Sequence, residues 1–242
     1  MRLVLLHARA GTLELIRYPA FSVPTLAFPA LFFLLFVAPR SDADANLLLA
    51  SFAGFAVLAV AFFQFGVGIA AERESPWERF VRTLPLQPRV RFAARVLSAV
   101  IFGLGSAAIV VAAALGTTDA SLRASRWAAL AVALALGSVP FALLGIALGY
   151  WASPRSALPV ANILYLVLSF VGALWTTPQH LPPSIASLSP LAPTRQFGNV
   201  LWGATEGHLW RPRDWLLLLG WTVVFAALAA WGYRRDEGRR YT

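Results

Sequence analysis

The sequence predicts an all-α integral membrane protein with six transmembrane helices. Of its 242 residues, 59% are hydrophobic and 13% are charged, and the mean hydropathy is +0.68. A soluble globule of this size needs more polar groups to cover its surface. Six apolar runs have about the length needed to cross ~30 Å of hydrocarbon at roughly 1.5 Å per residue. Arginines and prolines separate these runs, as expected for the loops of a multi-pass protein.

The six predicted spans belong to one domain that covers residues 1–242. Pro24 and Pro29 lie within the first span, where we expect kinks, because carbonyls freed by proline can find other partners in a membrane helix. The fourth span contains Gly145-x-x-x-Gly149, a spacing that lets two helices approach closely but is frequent by chance in an alanine-rich chain. The spans cover about 18–38, 47–71, 92–116, 127–150, 157–175 and 214–233.

The distribution of arginine predicts the orientation of the spans. All 20 basic residues are arginines, and an even number of spans puts both termini on one side. With the termini in the cytoplasm, fourteen arginines lie inside and six lie outside, as the positive-inside rule requires. We therefore expect a protein of the cell (inner) membrane with a cytoplasmic segment 72–91. The net charge of +9 is explained by this topology and does not call for a nucleic-acid partner.

Two further segments are expected to lie along the membrane. Residues 1–17 place leucines on a face that includes Arg17, an imperfect amphipathic pattern that favours an interfacial helix on the cytoplasmic surface. One continuous helix over residues 176–213 is excluded by Pro178, Pro182, Pro183, Pro190 and Pro193. The apolar stretches Ile185–Leu188 and Phe197–Trp202 predict two short re-entrant helices there, with an ordinary external loop as the alternative.

Several kinds of chemistry are missing from the sequence. The chain has no cysteine, so it has neither disulfides nor thiol ligands. It has no lysine and therefore no phosphate-binding loop of the G-x-x-x-x-G-K-[ST] type. No span carries an Asp, Glu, Lys, Arg or His near its middle, which disfavours a proton relay. The three histidines are far apart, so we expect no metal, no cofactor and no enzymatic activity in this chain.

The segment 72–91 begins a short helix after the second span. Ser75 is suited to be the N-cap, Pro76 the first helical residue, and Glu78 the partner that completes a capping box. The helix must end near Leu84, because Pro85 disfavours the α conformation at the residue before it.

One face of this predicted helix is apolar. Trp77, Phe80, Val81 and Leu84 recur at helical spacing, whereas Arg79 and Arg82 point elsewhere. Two turns of helix are not stable alone in water, so this face must lie against a bilayer or against another protein. An interfacial turn that only joins two spans remains the alternative.

The stretch ERESPWERFVRTLPLQPRVRFAARVL closely resembles the cytoplasmic segment between the second and third spans of ABC type-2 permeases. The stretch PPSIASLSPLAPTRQFGNVLWG is similar to the external segment before their last span. The resemblance implies the membrane subunit of an ATP-binding-cassette exporter, built from two six-span permeases and two separate cytoplasmic ATPase subunits. We expect the second permease to be an identical chain. ATP and Mg²⁺ would be bound by the ATPases, and the short helix would be a coupling helix seated on them.

The resemblance also implies functional residues. Glu72 and Glu74 would be the acidic pair at the inner end of the second span. Relatives often have glycine and a small residue where this chain has Ser75 and Pro76, which affects only the tilt of the helix. The full set of expected coupling residues is Glu72, Glu74, Ser75, Pro76, Trp77, Glu78, Arg79, Phe80, Val81, Arg82 and Leu84.

The expected substrate is apolar or amphiphilic, for example a drug, a lipid or a lipid-linked molecule, since the spans lack a polar helix face. We expect Phe62, Phe63, Gln64 and Asn162 to border its path. The alternative function is an ATP-independent membrane scaffold or assembly subunit that binds a cytoplasmic partner through residues 72–91. A lipid-metabolising membrane enzyme is disfavoured because the chain lacks the usual carboxylate, metal and nucleophile arrangements.

Overall fold

The computed structural model describes residues 12–13, 19–39, 45–76, 88–175, 178–207 and 210–238, and all regular structure within these ranges is helical. The long helices are α1 (Pro19–Phe36), α2 (Ala45–Glu72), α3 (Pro88–Thr117), α4 (Ala124–Trp151), α5 (Pro154–Val171), α6 (Pro193–Glu206) and α7 (Pro212–Gly238).

Five of these helices, α2, α3, α4, α5 and α7, are long and apolar enough to cross a membrane. Within α1, the stretch Val23–Phe36 is a shorter apolar helix. The chain is therefore a multi-pass membrane protein, and the part that the structure describes is helical, as composition predicts. The predicted interfacial helix at 1–17 lies outside the described residues except for residues 12 and 13.

Helix α2 lies at the centre of the molecule. Every residue from 48 to 62 is buried, whereas α5 and α7 expose large apolar side chains along much of their length. Small residues let neighbours approach α2 closely. A Cβ added at Gly54 would lie 2.7 Å from Cδ1 of Leu201 in α6. Because lipid is as apolar as leucine, such close packing is what holds membrane helices together.

The second half of α2 contains a π-helical stretch and contacts α4. Residues Val60–Val67 form a π-helical stretch, which places the backbone carbonyl of Ala61 against α4. A Cβ added at Gly145 would overlap that carbonyl oxygen, and one added at Gly149 would lie 2.6 Å from Cβ of Ile69. The Gly145-x-x-x-Gly149 spacing is therefore a site of close helix approach within the chain.

Proline and serine residues occur at irregular or linked positions in helices α1 and α4. Helix α1 is helical through both Pro24 and Pro29. Between the two prolines, the Leu26 carbonyl accepts a hydrogen bond from Ser106 of α3 at 3.2 Å, which links α3 to α1. Helix α4 is interrupted by a turn at Ser138, two residues before Pro140.

The segment before α7 differs from the sequence expectation. Its first apolar stretch contains only one helical turn, Pro183–Ala186, in which Ile185 packs against the core, whereas Leu188 is 59% exposed, so this stretch packs only in part. The second stretch lies in the 14-residue helix α6. Phe197 of α6 is fully buried, with its ring centroid 5.2 Å from that of Phe141 in α4. Helix α6 thus lies inside the bundle because its side chains fill space between α2 and α4.

The contact at Gly145 generates a stability prediction. Gly145→Ala places a methyl group against the Ala61 carbonyl, and we expect overpacking to lower the free energy of unfolding by about 1–3 kcal/mol. Gly220→Ala is the matched control, because a Cβ there meets nothing within 4 Å. Unfolding of both variants by dodecyl sulfate titration measures the difference. Equal stability of the two variants would show that the α2–α4 contact is not close in solution.

Candidate functional site

A candidate functional site lies where α2 leads into the segment 72–91. We call it the Arg73 joint, and it consists of Arg73, Tyr150, Ala152 and Asp236. The Arg73 guanidinium donates from Nη1 to the Tyr150 carbonyl oxygen at 2.7 Å and to Oδ1 of Asp236 at 3.2 Å. It donates from Nη2 to the Ala152 carbonyl oxygen at 2.7 Å. One side chain after α2 therefore binds the ends of both α4 and α7.

The end of a helix explains why α4 accepts an arginine. The last carbonyls of an α-helix have no partner within the helix and carry a partial negative charge. The Tyr150 and Ala152 carbonyls are at this end of α4. A cation that donates to them supplies the missing hydrogen bonds and offsets the partial negative charge. Helix α5 begins almost directly after α4, and Ser153 and Ser156 form a capping box at its start.

The ion pair in the Arg73 joint is shielded from water. The side chains of Arg73 and Asp236 are only 13% and 11% exposed. Partly buried pairs are screened less by salt than exposed ones, and removing one partner leaves the other charge poorly solvated. The joint therefore constrains the relative position of α2 and α7 more strongly than a surface ion pair would.

Aromatic side chains join the other end of the segment to the same helices. Phe92, just after residue 91, has its ring centroid 5.9 Å from that of Tyr150 and 5.3 Å from that of Tyr233. The rings of Tyr150 and Tyr233 are 5.4 Å apart and nearly perpendicular, a favourable arrangement for aromatic pairs. The segment 72–91 is thus anchored to α4 and α7 at both of its ends.

An ion pair connects the end of α2 to the start of α3. Arg95 of α3 donates from Nη2 to Oε2 of Glu72 at 3.4 Å. The pair is partly exposed and contributes little on its own. Its geometric effect is to bring the end of α2 and the start of α3 together. Residues 72 and 95, which lie on either side of the segment in the sequence, are therefore neighbours in the structure.

The structure places only part of the predicted coupling set. Glu72 lies in the pair with Arg95, Glu74 and Pro76 are exposed, and Ser75 is half-buried. The remaining coupling residues, Trp77, Glu78, Arg79, Phe80, Val81, Arg82 and Leu84, lie outside the described residues.

The predicted path residues lie on two neighbouring helices. Phe62 is fully buried, Gln64 is buried, and Phe63 meets the ring of Tyr165 in α5 edge-on at 5.3 Å. Asn162 is exposed on α5, and its Nδ2 donates to the Leu158 carbonyl at 3.2 Å. The structure thus brings the π-helical stretch against α5, but it turns Asn162 outward from that contact.

Sequence reasoning missed most of the Arg73 joint. Arg73 was counted only as a positive-inside charge, and no role was assigned to Tyr150 or Phe92. One signal was present: Asp236 is an acid in an arginine-rich tail, which suggests a partner of opposite charge. Among the described residues, no group of three or more histidines or acids could hold a metal ion.

Comparison with known proteins identifies the class of this molecule. The helical bundle is that of a multi-pass protein in which segment 72–91 is attached to the ends of α4 and α7. The model of the ABC-2 family transporter protein matches residues 40–231, and the chain belongs to this family. It is 22% identical over 183 residues to the "Putative transport permease YvfS" of Bacillus subtilis (strain 168), a match that covers 76% of this chain and 75% of that protein.

The Arg73 joint generates a second prediction. Arg73→Ala leaves Asp236 and two helix-end carbonyls without this donor, and we expect an apparent destabilisation of about 3 kcal/mol. Arg155→Ala, which removes an exposed arginine from the start of α5, should change stability by less than about 0.5 kcal/mol.

A double-mutant cycle separates the ion pair from the carbonyl contacts. We expect Arg73→Ala and Asp236→Ala to be coupled by about 0.5–3 kcal/mol in the free energy of unfolding. Strict additivity of the two substitutions would contradict the ion pair.

Proposed function

We propose that this chain is the membrane subunit of an ATP-binding-cassette exporter. It forms the path for an apolar or amphiphilic substrate, such as a drug, a lipid or a lipid-linked molecule, and ATP hydrolysis in a separate subunit drives transport. Membership of the ABC-2 family supports the permease class. One observation carries the mechanism: Arg73 and Phe92 attach both ends of segment 72–91 to the ends of α4 and α7.

The proposed topology has six spans. Helix α1 has 18 residues and at about 1.5 Å per residue is roughly 27 Å long, which allows it to cross a bilayer alongside the five longer helices. The contact between Arg73 and Asp236 supports a common side for segment 72–91 and the C-terminal tail. The arginine distribution favours the cytoplasm for that side, in a cell (inner) membrane.

The segment 72–91 acts as the lever in this proposal. Its apolar face, formed by Trp77, Phe80, Val81 and Leu84, seats on a cytoplasmic ATPase subunit that holds ATP and Mg²⁺. Two ATPase subunits and a second copy of this chain complete the exporter. When the ATPases close, segment 72–91 moves. The hydrogen bonds of the Arg73 joint connect this segment to α4 and α7, so these two helices move with it.

The substrate path is proposed at the contact of α2 with α5. Phe63, Gln64 and Asn162 border it, whereas Phe62 has no exposed surface in the single chain and would reach a path only after the helices part. We further propose that α6 lies in the outer leaflet and closes the outer end of the bundle. Its burial against α2 and α4 supports this placement.

The topology is testable because the chain contains no cysteine. Single cysteines at Glu74 and at Leu191 occupy exposed positions on opposite sides of the proposed membrane. In right-side-out vesicles, we expect a membrane-impermeant maleimide to label Leu191→Cys directly and Glu74→Cys only after permeabilisation. The reverse pattern would place the segment 72–91 on the outer side and end the lever proposal.

The lever is tested by removing its apolar face. We expect Trp77→Ala combined with Phe80→Asp to leave membrane insertion intact, while the ATPase subunit is lost on purification or hydrolyses ATP without transport. Co-purification, ATP hydrolysis and substrate efflux report the outcome. The matched control is Leu191→Ala combined with Leu188→Asp, which changes two exposed apolar side chains in the segment before α6.

Two outcomes would count against the proposal. Normal efflux by the Trp77 and Phe80 double variant would refute the lever. Transport by the purified chain without an ATPase, or purification of an intact complex that contains none, would favour the scaffold alternative.

A further inference from the structure

A cavity of about 320 Å³ lies at the opposite end of the bundle from the Arg73 joint. It opens between the start of α2, the helix α6 and the start of α7. Its volume is at the lower end of the roughly 300–1,000 Å³ typical of ligand sites, so it suits a head group or a small molecule rather than a whole lipid. The residues that the argument uses are Arg195, Trp202, Glu206, Trp210, Arg211 and Asp214.

A hydrogen-bonded chain holds two opposite charges in the cavity wall. Arg195 donates from Nε to Oδ1 of Asn199 at 3.1 Å. Asn199 donates from Nδ2 to Oδ1 of Asp214 at 3.1 Å. The guanidinium carbon of Arg195 lies 5.2 Å from the ring centroid of Trp202, and that ring is fixed in turn by a 2.7 Å hydrogen bond from its Nε1 to Ser51 of α2. The site is therefore built before any ligand arrives.

Both charged groups retain capacity for a ligand. Asp214 is only 7% exposed, yet among the described residues its carboxylate accepts a hydrogen bond from Asn199 alone. Within the same ranges, the Nη atoms of Arg195 donate to no other side chain or carbonyl. Burial lowers the pKa of Arg195, and the Asp214 carboxylate opposes that shift. Arginine remains a cation at neutral pH, so the cavity presents a guanidinium and a carboxylate together.

The charges that line the cavity are balanced. Arg195 and Arg211 are positive, whereas Glu206 and Asp214 are negative. A purely anionic ligand would be repelled by the carboxylates, and a purely cationic ligand would be repelled by the arginines. A ligand that carries both charges can satisfy both groups. The indole rings of Trp202 and Trp210 supply amphipathic walls of the kind found where an apolar and a wet surface meet.

We propose that this cavity binds a zwitterionic head group, with its phosphate or carboxylate on the Arg195 guanidinium and its ammonium on the Asp214 carboxylate. The ligand comes either from a zwitterionic lipid or from a small soluble zwitterion, and the two share this chemistry. This proposal specifies a class of ligand that the proposed export function does not. Binding requires neither an ATPase nor movement of segment 72–91, so its failure and the failure of the lever are separate results.

Calorimetric titration of the purified full chain tests the ligand class. The chain is placed in nanodiscs of phosphatidylglycerol, a lipid without an ammonium group. We expect phosphoethanolamine or dihexanoyl phosphatidylethanolamine to bind at least tenfold more tightly than phosphoglycerol, inorganic phosphate or ethanolammonium. Tighter binding of the short-chain lipid than of its soluble head group assigns the ligand to the bilayer, and equal binding assigns it to a soluble zwitterion.

Two variants test the assigned contacts. Asp214→Asn should shift preference at least tenfold towards phosphoglycerol, and Arg195→Gln should shift it towards ethanolammonium. Arg213→Gln, an exposed arginine beside Asp214 that does not line the cavity, should leave the preference unchanged. Opposite shifts cannot arise from a general loss of folding.

The proposal is overturned if zwitterions bind the unaltered chain no more tightly than phosphate, a result that needs no variant to fold. It is also overturned if both substitutions leave the order of ligand affinities as it is in the unaltered chain.

Discussion

The close contact between α2 and α4 is the constraint on which the rest of this structure depends. In lipid, helices gain little from hiding apolar surface from one another, so their association relies on backbone proximity and on hydrogen bonds at their ends. Gly145 and Gly149 allow that proximity, and the π-helical stretch of α2 brings the Ala61 carbonyl to meet it. Because Gly149 contacts Ile69, the carbonyl of Tyr150 comes within reach of Arg73, one helical turn further along α2.

The two ends of the bundle use the same physical device for different purposes. At one end, Arg73 satisfies the final carbonyls of α4 and pairs with Asp236, so both of its Nη atoms join helices. At the other end, Arg195 is held by Asn199 and Trp202, and it lines a cavity. An arginine whose Nη atoms bind fixed protein groups holds helices together, whereas an arginine that lines a cavity can bind a ligand.

The sequence predicted the broad architecture well, and for clear reasons. An apolar run of about 20 residues has few alternatives to a membrane helix, so length and composition predict such helices without any knowledge of packing. Local chemistry was similarly readable: Gly145-x-x-x-Gly149 marked a possible close approach, and prolines divided the segment before α7. Leu188 shows the limit of this reasoning, because apolar character alone did not reveal that it would be exposed.

By itself, the sequence determined the membrane class, the helical content and the absence of a phosphate-binding loop, since these follow from composition and short-range spacing. Only the tertiary structure decided that Arg73 meets Tyr150 and Asp236, that Phe92 joins them, and that Arg195 and Asp214 share a cavity. The partners of Arg73 are separated from it by 77 and 163 residues. Such contacts depend on which helix faces meet, and periodicity describes a face without naming its neighbour.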